Sequence, residues 1–331
     1  MTQEIMVQCR GLTKVYQEIT ALEGLDLEIP RGHIFGYIGH NGAGKTTTIR
    51  ILAGLMKATS GRASIAGVDV AGGRDRIKAL IGYLPDSFGV YDQMRVWEYL
   101  DFFGAAFKIP RTRRRDRIDY VLDVTDSQYM RDRFVDTLSH GMKQRIGVAR
   151  TLMHDPQVLL LDEPANGLDP RARVHMRRLL RRLADGGKTL MVSSHILPEL
   201  AAICDSVGIL HSGHLRAFGP INKVLADIQR DRLMELKAIA GLAAAANLLA
   251  NIKRVSEVDD SDIQNGLLRF RFSGDDKSMS ELAAKISGGG VKMVTLREVP
   301  LSLEDAYMAV SDISSEVPLD ENQSTEQGHA G

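Results

Sequence analysis

Cysteine is scarce: Cys9 and Cys204 are the only two in 331 residues, and their separation makes no metal-ligand set. So few thiols fit a reducing cytosol. Charge of either sign is not in excess. Lys plus Arg and Asp plus Glu each total 42, so the formal net charge is zero. That balance removes a whole-chain electrostatic case for nucleic-acid binding and leaves only local patches. No stretch holds the roughly 18 to 20 uninterrupted apolar residues of a spanning helix. The opening Met1-Thr2-Gln3-Glu4 also lacks the basic and apolar regions of a signal peptide. Any work at a membrane is therefore expected to go through a partner. No internal repeat is visible, and the last stretch, Ser314–Gly331, is polar, acidic and nearly free of aliphatics, which reads as a disordered tail.

What is present suits a globular chain. Hydrophobic residues make up 44% and charged residues 25%, enough apolar material for one large domain and a smaller one. Short apolar runs alternate with helical patterns over the first two thirds. Strands are expected at Leu25–Ile29, His33–Ile38, Ile81–Leu84, Val158–Asp162, Thr189–Ser193 and Val207–His211. Helices are expected at Thr46–Ala53, Val96–Phe107, Gly141–His154 and Arg171–Leu183. Runs apolar at successive positions, such as Val158-Leu159-Leu160-Leu161, belong to strands covered on both faces, which argues for a largely parallel sheet between helices. From Tyr91 to Asp136 the strand signal gives way to aromatic and basic helical patterns split by Pro110, a helical insertion. From about Asp231 the expected order is strand Leu233–Ala238, helix Leu242–Asn251, strands Arg254–Val258 and Leu267–Phe272, helix Met279–Ile286 and strand Val291–Arg297. That order resembles a ferredoxin-like unit.

Gly39-His40-Asn41-Gly42-Ala43-Gly44-Lys45-Thr46 satisfies G-x-x-x-x-G-K-[ST], after an apolar strand and before a helix. The glycines let main-chain N–H groups converge on phosphate at a helix N-terminus, Lys45 offers a mobile cation, and Thr46 a hydroxyl for Mg²⁺. A chance glycine-rich turn would need neither flank. Further on, the apolar strand Val158–Leu161 ends in Asp162-Glu163-Pro164, where side chains of a parallel sheet meet ligands. Asp162 suits Mg²⁺ and Glu163 suits an attacking water, although alone such a pair is as often a cap or turn.

At this point the chain resembles the ATP-binding subunits of ABC transporters over about residues 5–220. Leu138-Ser139-His140-Gly141-Met142-Lys143-Gln144-Arg145 is similar to the family's signature motif, in which Ser139 and Gly141 would serve the ATP of a facing subunit. Gly167-Leu168-Asp169 resembles the loop that crosses the dimer interface, and His195 the switch histidine at the γ-phosphate. Tyr16 falls where an aromatic stacks on adenine; a half-buried strand tyrosine is the other reading. The resemblance implies an α/β P-loop NTPase with a mostly parallel core sheet, an N-terminal antiparallel β subdomain and a helical insertion at about 88–136. The ATP-binding domain would span 1–225, and a small α+β accessory domain 231–312, before the tail at 314–331. It further implies ATP and Mg²⁺ bound at Gly39–Thr47 (Thr47 included), with Glu163, His195 and Lys45 catalytic. The partners implied are a homodimer or paired ATPase subunit and an integral-membrane permease, on the cytoplasmic face of the cell membrane, with no nucleic acid. Pro300–Tyr307 resembles the closing motif of accessory domains on exporter-type subunits.

Two positions depart from the family pattern. Asp86 stands where a glutamine usually reaches Mg²⁺; its carboxylate suits a hard cation but is shorter and adds charge beside Asp162 and Glu163. His140 stands where glycine is frequent, as an exposed loop histidine or a pH sensor. The basic runs Pro110–Arg117 and Arg171–Arg182 read as solvated helix faces, with contact to lipid headgroups or nucleic acid as the other reading. Phe88–Phe107, rich in aromatics, is a docking surface for a transmembrane partner or the core of the insertion. Two other functions compete: a soluble ABC-type ATPase on ribosomes or DNA, and a GTP switch, for which Asn222-Lys223-Val224-Leu225 lacks the acid of a guanine-reading segment.

Overall fold

The structure is a computed structural model that describes residues 4–89, 93–228 and 231–299. Pro300–Tyr307 and the tail lie outside them. The chain divides into two compact units, Met1–Val224 and Leu225–Gly331.

The first unit opens with antiparallel β1 (Ile5–Tyr16) and β2 (Ile19–Pro30), followed by β3 (Ile34–Ile38) and α1 (Lys45–Leu52). β4 (Ser60–Ile65) and β5 (Val68–Asp69) return to the first pair, giving an antiparallel sheet ordered β2-β1-β4-β5. α2 (Arg74–Leu80) leads to β6 (Ile81–Leu84). A helical stretch follows, with α3 (Val96–Ala106), α4 (Arg111–Val124) and α5 (His140–Leu152). Then come β7 (Val158–Asp162), α6 (Pro170–Asp185), β8 (Thr189–Ser194), α7 (Leu197–Ala201), β9 (Ser206–His211), β10 (His214–Pro220) and α8 (Ile221–Ile228).

The second sheet runs β10-β9-β3-β8-β7-β6, parallel except for β10. Every residue of β3, β7 and β8 is buried. Strands covered on both faces need apolar side chains at successive positions, and Leu159, Leu160 and Leu161 supply them; burying each stabilises by roughly 1.5–3 kcal/mol. The helices that cover the sheet show the complementary pattern. α6 buries Met176, Leu179, Leu180 and Leu183, the spacing of one helical face. Its start is fixed by Asp169, whose side chain accepts from Ala172 N at 2.9 Å, and by Pro170 in the first turn.

In the helical stretch, Tyr99 and Leu100 are buried while Trp97, Phe102, Phe107, Tyr120, Tyr129 and Phe134 are partly exposed. The aromatic segment therefore contributes to the core of the insertion through Tyr99 and leaves Trp97, Phe102 and Phe107 on the surface. Pro110 is the N-cap residue of α4, where its missing N–H costs nothing.

The second unit holds β11 (Arg232–Ala240), α9 (Leu242–Ala250), β12 (Val255–Asp259), β13 (Leu267–Phe272), α10 (Asp276–Gly288) and β14 (Lys292–Glu298). Its sheet is antiparallel throughout, ordered β12-β13-β11-β14. Met234, Leu236, Leu268, Phe270 and Phe272 pack against Leu249, Leu282 and Ile286. From the opposite face Glu235 accepts from Arg297, at 2.8 and 2.6 Å, and from Arg269.

Candidate functional site

β3, β8 and β7 are neighbours in the sheet, and the loops leaving their carboxyl ends carry the residues singled out from the sequence. Gly39–Gly44 connects β3 to α1. Gly44 sits at φ +109, and a Cβ there would collide with the Ala21 carbonyl oxygen of β2. Only glycine permits both that dihedral and that approach. Ala43 N donates to His40 O at 3.2 Å and Gly213 N to Ala43 O at 3.1 Å, so the loop is tied to itself and to the β9–β10 turn. Thr46 and Thr47 follow in the first turn of α1, whose unpaired N–H groups favour an anion.

Lys45 is buried and turns its ammonium inward, donating to Gly39 O at 2.5 Å and His40 O at 3.2 Å. Its third neighbour is Glu163 Oε1 at 3.4 Å. Glu163 Oε2 accepts from the other direction, 2.8 Å from His195 Nδ1. The Glu163 carboxylate thus bridges lysine and histidine, each from a different strand end. That oxygen facing Lys45 has no hydrogen bond of ordinary length. Asp162, 1% exposed, accepts from Ser193 Oγ at 2.6 Å. Ser193 also receives the Glu163 N–H, on its carbonyl at 3.2 Å and its hydroxyl at 3.1 Å. Glu163 itself lies at φ +50, a region that non-glycine residues occupy at a cost.

The other residues singled out from the sequence have contacts of their own. Tyr16 ends β1, 39% exposed, with its hydroxyl on Met56 Sδ and Lys14 Nζ 5.0 Å from its ring centre. Ser139 caps α5, accepting from Met142 N, and Gly141 is the second residue of that helix, beside Ala172. Asp86 is bonded to Asn166 Nδ2 at 3.2 Å. His140 Nε2 meets Asn166 O at 3.0 Å. Thus Lys45, Asp162, Glu163 and His195 are directly connected through each other or Ser193. Ser193 and Asn166 were not singled out from sequence: both are common residues, and only the strand order brings them into contact.

The loop after β6 is pinned to α5. Phe88 lies against Gly147, where a Cβ would be 2.5 Å from its ring, and Arg150 covers it at 4.8 Å. Arg150 also faces Phe103 at 5.0 Å and donates to Tyr99 Oη at 3.1 Å. Beside this contact a groove of about 380 Å³ is lined by Leu55, Lys78, Tyr83, Pro85, Phe103 and Phe107. His154 forms its floor, stacked on Phe107 at 3.8 Å and bonded through Nε2 to Ile81 O. Burial holds its pKa below the usual histidine value, the Ile81 carbonyl opposing this in part. Burial likewise raises the carboxyl of Glu199, against the pull of Arg173.

As chemistry, this arrangement offers a helix N-terminus suited to phosphate, a cation beside it, and a carboxylate of the kind that can take a proton from water. Known proteins resemble this chain in sequence and fold. A sequence model of ABC transporters matches residues 22–166. The bacitracin transport ATP-binding protein BcrA of Bacillus licheniformis is 41% identical over 306 residues, covering 92% of this chain and 96% of that protein. The linearmycin resistance ATP-binding protein LnrL of Bacillus subtilis is 28% identical over 305 residues, covering 92% and 97%. Among solved structures, an ATP-binding subunit of an ABC transporter aligns with TM-score 0.61 and 28% identity over 67% of this chain and 92% of that one.

Proposed function

The chain belongs to the ATP-binding subunits of ABC transporters, and from that membership we propose how its own residues bind and cleave ATP and what the cleavage drives. The observation that carries the reading is the Lys45–Glu163–His195 bridge beside the Gly39–Gly44 loop. Entering phosphate draws the Lys45 ammonium from the carboxylate to the β- and γ-phosphoryl oxygens, while main-chain N–H groups of the loop and Thr47 bind the rest. Released from Lys45, Glu163 accepts the proton of the attacking water, and His195 turns toward the γ-phosphoryl group.

Hard oxygen donors meet the needs of Mg²⁺: the Thr46 hydroxyl, the buried Asp162 carboxylate, of which Ser193 occupies one oxygen, and the Asp86 oxygen left by Asn166. When bound, the ion supplies charge neutralisation across the β- and γ-phosphates. Tyr16, exposed at the end of β1, offers its ring to adenine. Ser139 and Gly141, at the start of α5, offer a second phosphate site to a facing subunit, a second copy or a paired relative.

No helix among the described residues is long and apolar enough to cross a membrane. The partner in transport is therefore a separate integral-membrane permease at the cytoplasmic face, and the groove floored by His154 suits an apolar helix of that partner. The bacitracin and linearmycin relatives favour export. The second unit, with its β-α-β-β-α-β order, is read as a ferredoxin-like accessory domain for assembly or regulation. Glu163→Gln tests the centre of this proposal: the variant is expected to bind nucleotide and release no phosphate. Undiminished hydrolysis would remove Glu163 from its role.

A further inference from the structure

Three segments of the first unit meet on Asn166, three residues after Glu163. Its N–H donates to the Glu163 carbonyl at 3.0 Å. Its side-chain Nδ2 donates to Asp86 Oδ1 at 3.2 Å. Its carbonyl oxygen lies 3.0 Å from His140 Nε2, which serves as the donor. Asp86 follows β6 at the edge of the sheet, Glu163 follows β7, and His140 opens α5. One residue therefore joins two strand ends and a helix start.

Glu163 needs such support. Its φ of +50 costs on the order of 1–3 kcal/mol for a side chain of its kind, so the turn persists only where its surroundings over-determine it. On one flank the Glu163 N–H is held by Ser193; on the other its carbonyl is held by Asn166. Gly167, at φ +68, completes the arrangement: a Cβ there would stand 3.3 Å from His140 Nε2 and crowd the imidazole. A carboxylate at 86 only accepts, so the amide at 166 is held with its NH₂ toward β6.

We propose that Asn166 is a positioning residue for ATP hydrolysis, which ties Asp86 and His140 to the main-chain turn that aims the Glu163 carboxylate. Movement of the segment after Asp86, the one pinned to α5 by Phe88, reaches the base through this residue. The inference rests on Glu163 being the base, and it gives Asp86 a task that does not depend on a metal.

Exchange of the two side chains is the test, read as kcat and KM for ATP with the full chain. Asn166→Asp sets two carboxylates against each other; kcat should fall about tenfold with KM within about twofold, because the phosphate loop is untouched. Asp86→Asn keeps an acceptor and should lose about threefold. The double variant puts amide and carboxylate back in contact with donor and acceptor exchanged, and kcat should return to within about threefold of the parent. In the same way His140→Ala should lower kcat and His140→Gln, which keeps a donor at similar reach, should recover it. A double variant as slow as Asn166→Asp alone, or single variants all at parental kcat, overturns the proposal. Glu163→Gln in the same series separates the premises: continued hydrolysis there refutes the role of Glu163, whereas an inactive Glu163→Gln beside a failed exchange refutes only Asn166.

Discussion

Before nucleotide arrives, Lys45 is already engaged, and that engagement should weaken binding by a measurable amount. Its ammonium stands 3.4 Å from Glu163 Oε1, with both side chains almost wholly buried. At an effective dielectric constant near 20 the bare attraction at that distance is about 5 kcal/mol. Desolvation of two buried ions offsets most of it, leaving a net near the low end of what close charge pairs show, about 1.5–3 kcal/mol. Glu163→Gln keeps a neutral acceptor worth about 0.5–1.5 kcal/mol and removes a negative charge beside the phosphates. The difference, about 1–2 kcal/mol, is roughly five- to thirtyfold in affinity. ADP in excess chelator is the proper probe, because it has no γ-phosphate to be cleaved or to draw two subunits together. Calorimetric titration should find ADP bound more tightly by the glutamine variant. Equal or weaker binding would show that phosphate does not displace Lys45 from this carboxylate, and the resting bridge would lose its meaning.

Gly44→Ala places a methyl against the Ala21 carbonyl and 3.2 Å from Leu210 Cδ2, at a φ that alanine resists; ADP titration should show at least a tenfold loss of affinity. Leu160→Ala in the buried strand β7 should lower unfolding free energy by about 2–5 kcal/mol in urea titration, with a shifted midpoint and little change in slope. Burial lowers the pKa of His154, so the unfolded chain binds its proton more readily than the folded one does. Stability from this residue is full above the ordinary histidine value of 6.5 and is lost as pH falls below it. Thermal midpoints should therefore decline on that acid limb, and His154→Gln, which retains a donor for Ile81 O, should flatten it.

The core of the fold was readable because β3, β6, β7, β8 and β9 are apolar at successive positions, a demand of burial on both faces. β1 was not readable. Its register shifts between Cys9 and Leu12 and again beyond, with Gly11 at φ +55, so the alternation that marks a half-buried strand is broken. β4 is likewise interrupted by Gly61 and carries exposed Ser60, Gly61 and Arg62 before its buried end. The phosphate loop and the Asp162-Glu163 pair were legible because their chemistry needs residues contiguous in sequence. Ser193 and Asn166 were not, since their contacts depend on which strands are neighbours in space. Charge runs gave half an answer: in α6 the i,i+4 pair Arg181–Asp185 is local, but Arg181 also reaches Asp205 and Arg182 reaches Asp126, partners distant enough to be invisible from the run itself.

The strand order β3-β8-β7 sets a condition on biosynthesis. The lysine loop follows β3 and the acidic pair follows β7, but the strand that lies between them is made last of the three. A nascent chain that has left the ribosome only as far as Gly187 holds both loops without His195 or the strand that pairs with β3 and β7; the packing of Ile49, Ile51 and Leu52 of α1 with Val158 and Leu160 still joins them. On the proposed roles of Lys45, Glu163 and His195, ATP turnover is expected to begin only when β8 has been inserted into the middle of the sheet, and chains that stop at Gly187 are expected to release no phosphate.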